Sequence, residues 1–161
     1  MTLGDQTTRC YVANVTLRAQ RYRAERKATM ETTAALVIPR IFAAIDDRRF
    51  ADLNALYAED VHATTAVGHL SGRAQLVSTL QAIHEPIPVL QHLVTGVIVD
   101  EDGDDADVRA NVTAFFGDDQ HQPILEGSSI WRGRLRRSNG HWQIAQVDIE
   151  SVWNRGQLPE A

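Results

Sequence analysis

A histidine in an apolar strand and a carboxylate at a helix end are the residues with the clearest chemical potential. His92 lies in the run 90–99, where alternation places it on one face with Val94, Gly96 and Ile98. An imidazole near its unperturbed pKa of ~6.5 can both take and give a proton at neutral pH. Asp46 closes an apolar helical run. The helix dipole disfavours a carboxylate there, so helix stability does not account for it. Asp47 is an alternative for the same role, and the group Asp46 to Arg49 also reads as a solvated turn of charges.

Asp148 is the third candidate. In the last strand Trp142, Ile144, Gln146 and Asp148 share one face by alternation, which puts a carboxylate on an apolar wall. Burial raises the pKa of such a group and suits it to general acid or base work. The alternative is an exposed residue near a strand end. Phe42, Tyr57, Phe115, Trp131 and Trp153 are candidates for an aromatic pocket lining, although for any one of them core packing is the commoner role. Of Ser128 and Ser129, Ser129 is the candidate for presenting a hydroxyl inward on the strand that carries Trp131.

Other chemistries lack their signatures. His62, His69 and His84 lie in different elements without the i, i+4 spacing of a helical metal pair, so no metal site is expected. The chain has no phosphate-binding glycine loop and no G-x-S-x-G elbow. Its one cysteine, Cys10, forms neither an intramolecular disulfide nor a cysteine-based zinc site. An Asp–His pair moves protons without a cofactor, and none is expected.

The elements that must position these residues follow from periodicity. Leu36, Val37, Phe42, Ala43 and Ile45 predict a helix over 32–46, with a kink possible at Pro39. Phe50, Leu53, Leu56 and Tyr57 predict a short second helix over 50–57, and 61–66 reads as a strand. Ser71 or Gly72 caps a third helix with Leu76, Val77, Leu80 and Ile83 on its apolar face, ending before Pro86. Strands over 90–99, 106–116, 124–136 and 141–153 follow. Asp102-Gly103 and Asn139-Gly140 supply hairpin turns. Helices first and a strand meander afterwards indicate an α+β fold with helices covering one sheet face.

Composition sets outer limits. A length of 161 residues, 43% of them hydrophobic, suits one domain with a core and a cavity. The net charge of −5 gives no case for a nucleic-acid partner. No apolar run approaches the ~18 residues of a membrane helix. Residues 1–29 carry six basic and two acidic side chains, a basic arm preceding the domain at 30–161. They lack the apolar core of a secretory signal, so a cytoplasmic location is the default expectation.

Four segments in order carry a family resemblance: Ile45-Asp46-Asp47-Arg48-Arg49-Phe50-Ala51-Asp52-Leu53, Leu56-Tyr57-Ala58-Glu59-Asp60-Val61, Gln91-His92-Leu93-Val94-Thr95-Gly96 and Gly140-His141-Trp142-Gln143-Ile144. Together they resemble the SnoaL-like branch of the nuclear-transport-factor-2-like superfamily, over residues 31–154. The resemblance implies a cone-like, curved antiparallel sheet wrapped by three N-terminal helices around one enclosed pocket. It also implies a small-molecule ligand and a homodimer through the outer sheet face. In scytalone-dehydratase-like members a histidine follows a glutamine on the first long strand, as Gln91-His92 does here. The aspartate at the position of Asp46 reaches the pocket, with a water between acid and histidine. The second histidine of those enzymes has no counterpart. Asn111 is its nearest match, able to bind a substrate oxygen but not to shuttle protons. The branch's polyketide cyclases carry an aspartate one residue from Asp148, and a histidine where this chain has Trp131.

The resemblance therefore implies a cofactor-independent lyase or isomerase acting by proton transfer on a small carbonyl-bearing ring, polyketide- or steroid-like. A non-catalytic binding or assembly module and a polyketide cyclase remain alternatives, because the superfamily hosts many activities on one fold.

Overall fold

The computed structural model describes residues 33–158. The basic segment 1–29 lies outside the described residues. A 3-10 turn, Ala34–Leu36, leads into helix α1, Val37–Asp46. A second 3-10 turn, Phe50–Asp52, leads into the one-turn helix α2, Leu53–Leu56. Strands β1, Tyr57–Thr65, and β2, Gly68–Ser71, precede helix α3, Arg73–His84. Four long strands complete the chain: β3, Val89–Asp102; β4, Asp105–Gly117; β5, Pro123–Ser138; and β6, His141–Gly156.

The six strands form one curved, open sheet in the order β2-β1-β6-β5-β4-β3. Every pairing is antiparallel except β1 on β6, which is parallel. The sheet is therefore mixed where a wholly antiparallel one was expected. Hairpin turns dictate the direction of β3 to β6. β1 reaches β6 through the long connection by way of α3, so no hairpin constrains it.

Pro39 causes no loss of hydrogen bonding. Because the α-helical turns begin at Val37, Pro39 falls in the first turn, where backbone N–H groups lack intrahelical partners. Val37, Ile38, Ile41, Phe42, Ala44 and Ile45 are buried, and they make α1 the central helix of the core. The β5–β6 turn, Asn139-Gly140, has φ of +51° and +78°, the backbone that this dipeptide favours.

Four register shifts interrupt the long strands, one of them on β5, where Phe116 faces Leu125 and Gly117 faces Pro123. On β3, Thr95 faces Asn111 while Ile98 faces Arg109, so the segment with left-handed Gly96 contains one extra residue. On β6 the register shifts between Arg134 and Leu135 of β5, and again between Ser128 and Ser129. Each extra residue bends its strand and exchanges the faces of all residues beyond it.

Candidate active site

Helix α1 ends in a Schellman motif. Arg49 N donates to Ala44 O at 2.7 Å and Arg48 N to Ile45 O at 3.0 Å, with Arg48 left-handed at φ +60°. This geometry projects Asp46 toward β3, which is an edge strand and so has backbone donors not used by a neighbour. The Asp46 carboxylate takes two donors from one residue. His92 N donates to Oδ2 at 2.9 Å, and His92 Nδ1 lies 2.5 Å from Oδ1. These donors compensate the unfavourable helix end. The acid and the imidazole touch directly, where a bridging water was expected. Asp47 instead bonds Arg49 and is exposed, so Asp46 is the residue that meets the histidine.

A carboxylate can only accept, so Nδ1 carries the proton and Nε2 of neutral His92 carries a lone pair. The His92 side chain is 4% exposed and Asp46 22%. The remaining face of the imidazole lines a cavity of about 290 Å³ between the helices and the inner sheet face. Phe42 of α1 packs on His92 with ring centroids 4.7 Å apart, and edge-on to Trp131 at 4.7 Å. Phe116 meets His92 edge-on, with ring centroids 5.7 Å apart. Ser129, Ile149 and the β1–β2 turn complete the walls, and none of the lining residues is charged.

His84 is a functional candidate that sequence reasoning missed. It closes α3 and lines the cavity, its ring centroid 5.7 Å from that of His92. Its Nδ1 lies 2.7 Å from Leu80 O. Burial pushes its pKa below the ordinary histidine value, and the nearby His92 and Arg48 act in the same direction. The signal was present: His84 follows Leu76 and Leu80 at successive i+4 steps, on the apolar face of α3.

Of the expected site residues, the structure brings together His92, Asp46, Phe42, Trp131 and Ser129. It separates four others from them. Asp148 faces the opposite side of the sheet, exposed, and accepts a hydrogen bond from Gln146 at 3.2 Å. The β6 bulge at Arg134/Leu135 reverses the alternation after Ile144, so Val147 and Ile149 turn inward instead. Asn111 and Phe115 lie on that same outer face, because the inner residues of β4 are Val112, Ala114 and Phe116. Asn111 is engaged there by Arg109 at 3.0 Å. Tyr57 is 1% exposed and belongs to the core rather than the cavity. Its burial raises the phenol pKa above the ordinary value. Ile98 also lies on the outer face, beyond the Gly96 bulge.

A second concavity, about 430 Å³, crosses that outer face between Ile98, Asp107, Arg109, Arg132, Arg134 and Asp148. It is the larger, but it holds neither histidine. Its charged walls are open to solvent, so electrostatic interactions there are screened.

Comparison with known proteins agrees with this architecture. The profile of the SnoaL-like domain matches residues 26–148. A provisionally assigned scytalone dehydratase from Novosphingobium aromaticivorans superposes with a TM-score of 0.69, at 17% identity over 78% of this chain and 85% of that one. The hexachlorocyclohexane dehydrochlorinase LinA-type3 from Novosphingobium barchaimii gives 0.66, at 13% identity over 86% and 97%. Aln2 from a Streptomyces species gives 0.64, at 16% identity over 71% and 85%. At these identities the likeness is one of fold. No curated protein matches the chain significantly.

Proposed function

Because the chain belongs to the SnoaL-like domain family, we propose that it is a lyase that removes a proton from an uncharged ring substrate and expels a leaving group from the neighbouring carbon. The observation that carries this reading is the direct contact of Asp46 with His92, which lines a cavity without charged side chains in its walls. His92 Nε2 takes the proton from a carbon made acidic by an adjacent carbonyl or similar group. The C–H electron pair becomes the new double bond, and the leaving group departs with its own pair. Asp46 holds the tautomer and offsets the charge of the imidazolium as it forms. Reprotonation at another carbon, with no group lost, makes the same machinery an isomerase.

Two of the fold neighbours bear the names of eliminations, a dehydration and a dehydrochlorination. Apolar walls favour a ring without carboxylate or phosphate, since either would be desolvated without a counter-charge. The volume is at the lower end of small-molecule sites, which suits one or two fused rings. The cyclase reading lacks support from Asp148, which faces away. The test is turnover of uncharged cyclic ketones and halides by the wild type and by His92→Gln and Asp46→Asn. Each substitution should lower kcat/KM by about 10²–10⁴. Wild-type rates in a folded His92→Gln variant would exclude the mechanism.

In this reading the working protein is a homodimer through the outer sheet face. Leu93, Thr113, Ser128 and Trp153 pair in sequence across four strands, forming an uncharged row there. Leu93 and Trp153 at its ends are each 47% exposed.

A further inference from the structure

Both cavity imidazoles have one nitrogen committed. His84 Nδ1 lies 2.7 Å from the Leu80 carbonyl, which can only accept, so Nδ1 must be the protonated nitrogen. The opposite tautomer would set a nitrogen lone pair against a carbonyl oxygen. His84 Nε2, like His92 Nε2, is therefore a lone-pair acceptor when the ring is neutral. Burial, with His92 and Arg48 nearby, outweighs the Leu80 hydrogen bond and Asp46, which favour the charged ring, and so favours that neutral form. The polar groups that share the wall are few. Thr65 Oγ1 is already occupied, donating to Gly68 O and accepting from Val67 N. Thr79 and Ser129 hydroxyls can serve either way. A ligand that fills this apolar space without offering a donor would leave the His84 nitrogen buried and unpaired, which is costly.

The position of His84 is itself held in place. The Arg48 guanidinium donates to the His84 and Ile87 carbonyls, tying the end of α3 to the end of α1 that bears Asp46. The two imidazoles, 5.7 Å apart by centroid, are thus fixed relative to one another. We infer that His84 is a specificity-determining residue that accepts a hydrogen bond from a hydroxyl of the substrate, so that the ring taken up is an alcohol or phenol with its acidic C–H beside His92. The C–H half rests on the lyase reading above. The hydroxyl half is a matter of binding alone.

The test compares binding of 2-naphthol with that of its near-isostere 2-methylnaphthalene, by fluorescence titration near pH 7.5, in the full chain. The ratio of the two dissociation constants in the wild type is the reference, because the methyl compound partitions better into any apolar site. His84→Phe should shift that ratio by about tenfold toward 2-methylnaphthalene, the scale of one lost buried hydrogen bond. His92→Phe should leave the ratio within about twofold. A ratio that shifts in His92→Phe instead, or in neither variant, overturns the inference. Nitrogen NMR of the wild type gives an answer independent of whether His84→Phe folds. The His84 Nε2 signal should be that of an unprotonated nitrogen and should move with 2-naphthol but not with 2-methylnaphthalene. A protonated Nε2, or no response to 2-naphthol bound in the cavity, contradicts it. Loss of the hydroxyl preference would leave the Asp46–His92 base untouched. Absent turnover with the preference intact would count against the base alone.

Discussion

Asp46 occupies a helix end that repels negative charge, and two donors from His92 hold it there. Those bonds explain how a carboxylate is accommodated at that position and why the imidazole has one orientation. Asp46→Asn would keep the shape and remove the charge that supports an imidazolium. It should therefore cost activity while leaving the fold, as checked by circular dichroism alongside turnover. His84 makes a separate prediction about stability. Its folded pKa is depressed by burial, so below pH ~6.5 the unfolded chain binds more protons at this residue than the folded one. Its contribution then destabilises the fold progressively as pH falls through that window, and levels off below the folded pKa. His84→Gln should flatten this part of a urea-midpoint profile, whereas an unchanged profile would argue against a neutral, buried His84. At this scale His92 and Asp46 were legible because each broke a local rule, a titratable group in an apolar strand and an acid at a helix C-terminus. Asp148 offered a similar signal on β6 but faces the other way, because its position depended on an unbroken alternation.

The decisive features between residues and fold are the bulges and the α1–α2 turn. Alternation reads β3 correctly as far as Thr95 and β6 as far as Ile144, and fails beyond each bulge. Asn139-Gly140 marks its hairpin in the sequence, since its backbone needs positive φ. The β6 bulges, at Arg134/Leu135 and Ser128/Ser129 of the partner strand, coincide with no glycine or turn residue on β6 that would announce them. Arg48 shows the same divide. A left-handed, non-glycine residue costs about 1–2 kcal/mol, which the guanidinium repays by bonding two carbonyls at the end of α3. Arg48→Ala should retain the backbone strain, lose both bonds and destabilise by about 2 kcal/mol or more in urea. Arg48→Gly loses the same bonds but not the conformational fit, and should be the more stable of the two variants. The reverse order would show that the left-handed backbone is not what strains this turn.

Across the whole molecule, the sheet divides two environments. Its inner face and the helices line a cavity without charges, while its outer face carries Arg109, Arg132 and Asp148 in register beside the row from Leu93 to Trp153. An α+β layout with an early helical layer was readable from element order. The parallel β1–β6 pairing was not, because it joins segments far apart in sequence without a turn to reveal it. If the uncharged outer row is the dimer contact, Trp153→Glu should shift the mass measured by light scattering from dimer to monomer. A mass unaffected by the substitution would place any dimer contact elsewhere. The central claim concerns the inner face: that Asp46 and His92 form a base able to remove a proton from carbon. The most direct measurement follows the exchange of the ring C–H groups next to the carbonyl of 2-tetralone, an uncharged bicyclic ketone, in deuterated water by NMR. Binding in the cavity is checked in the same samples from shifts of His92 and Trp131 signals. The account predicts that the wild type accelerates exchange and that Asp46→Asn and His92→Gln lose about 10²-fold or more of that acceleration. Bound 2-tetralone that exchanges no faster than in buffer, or as fast with His92→Gln as with the wild type, would contradict it.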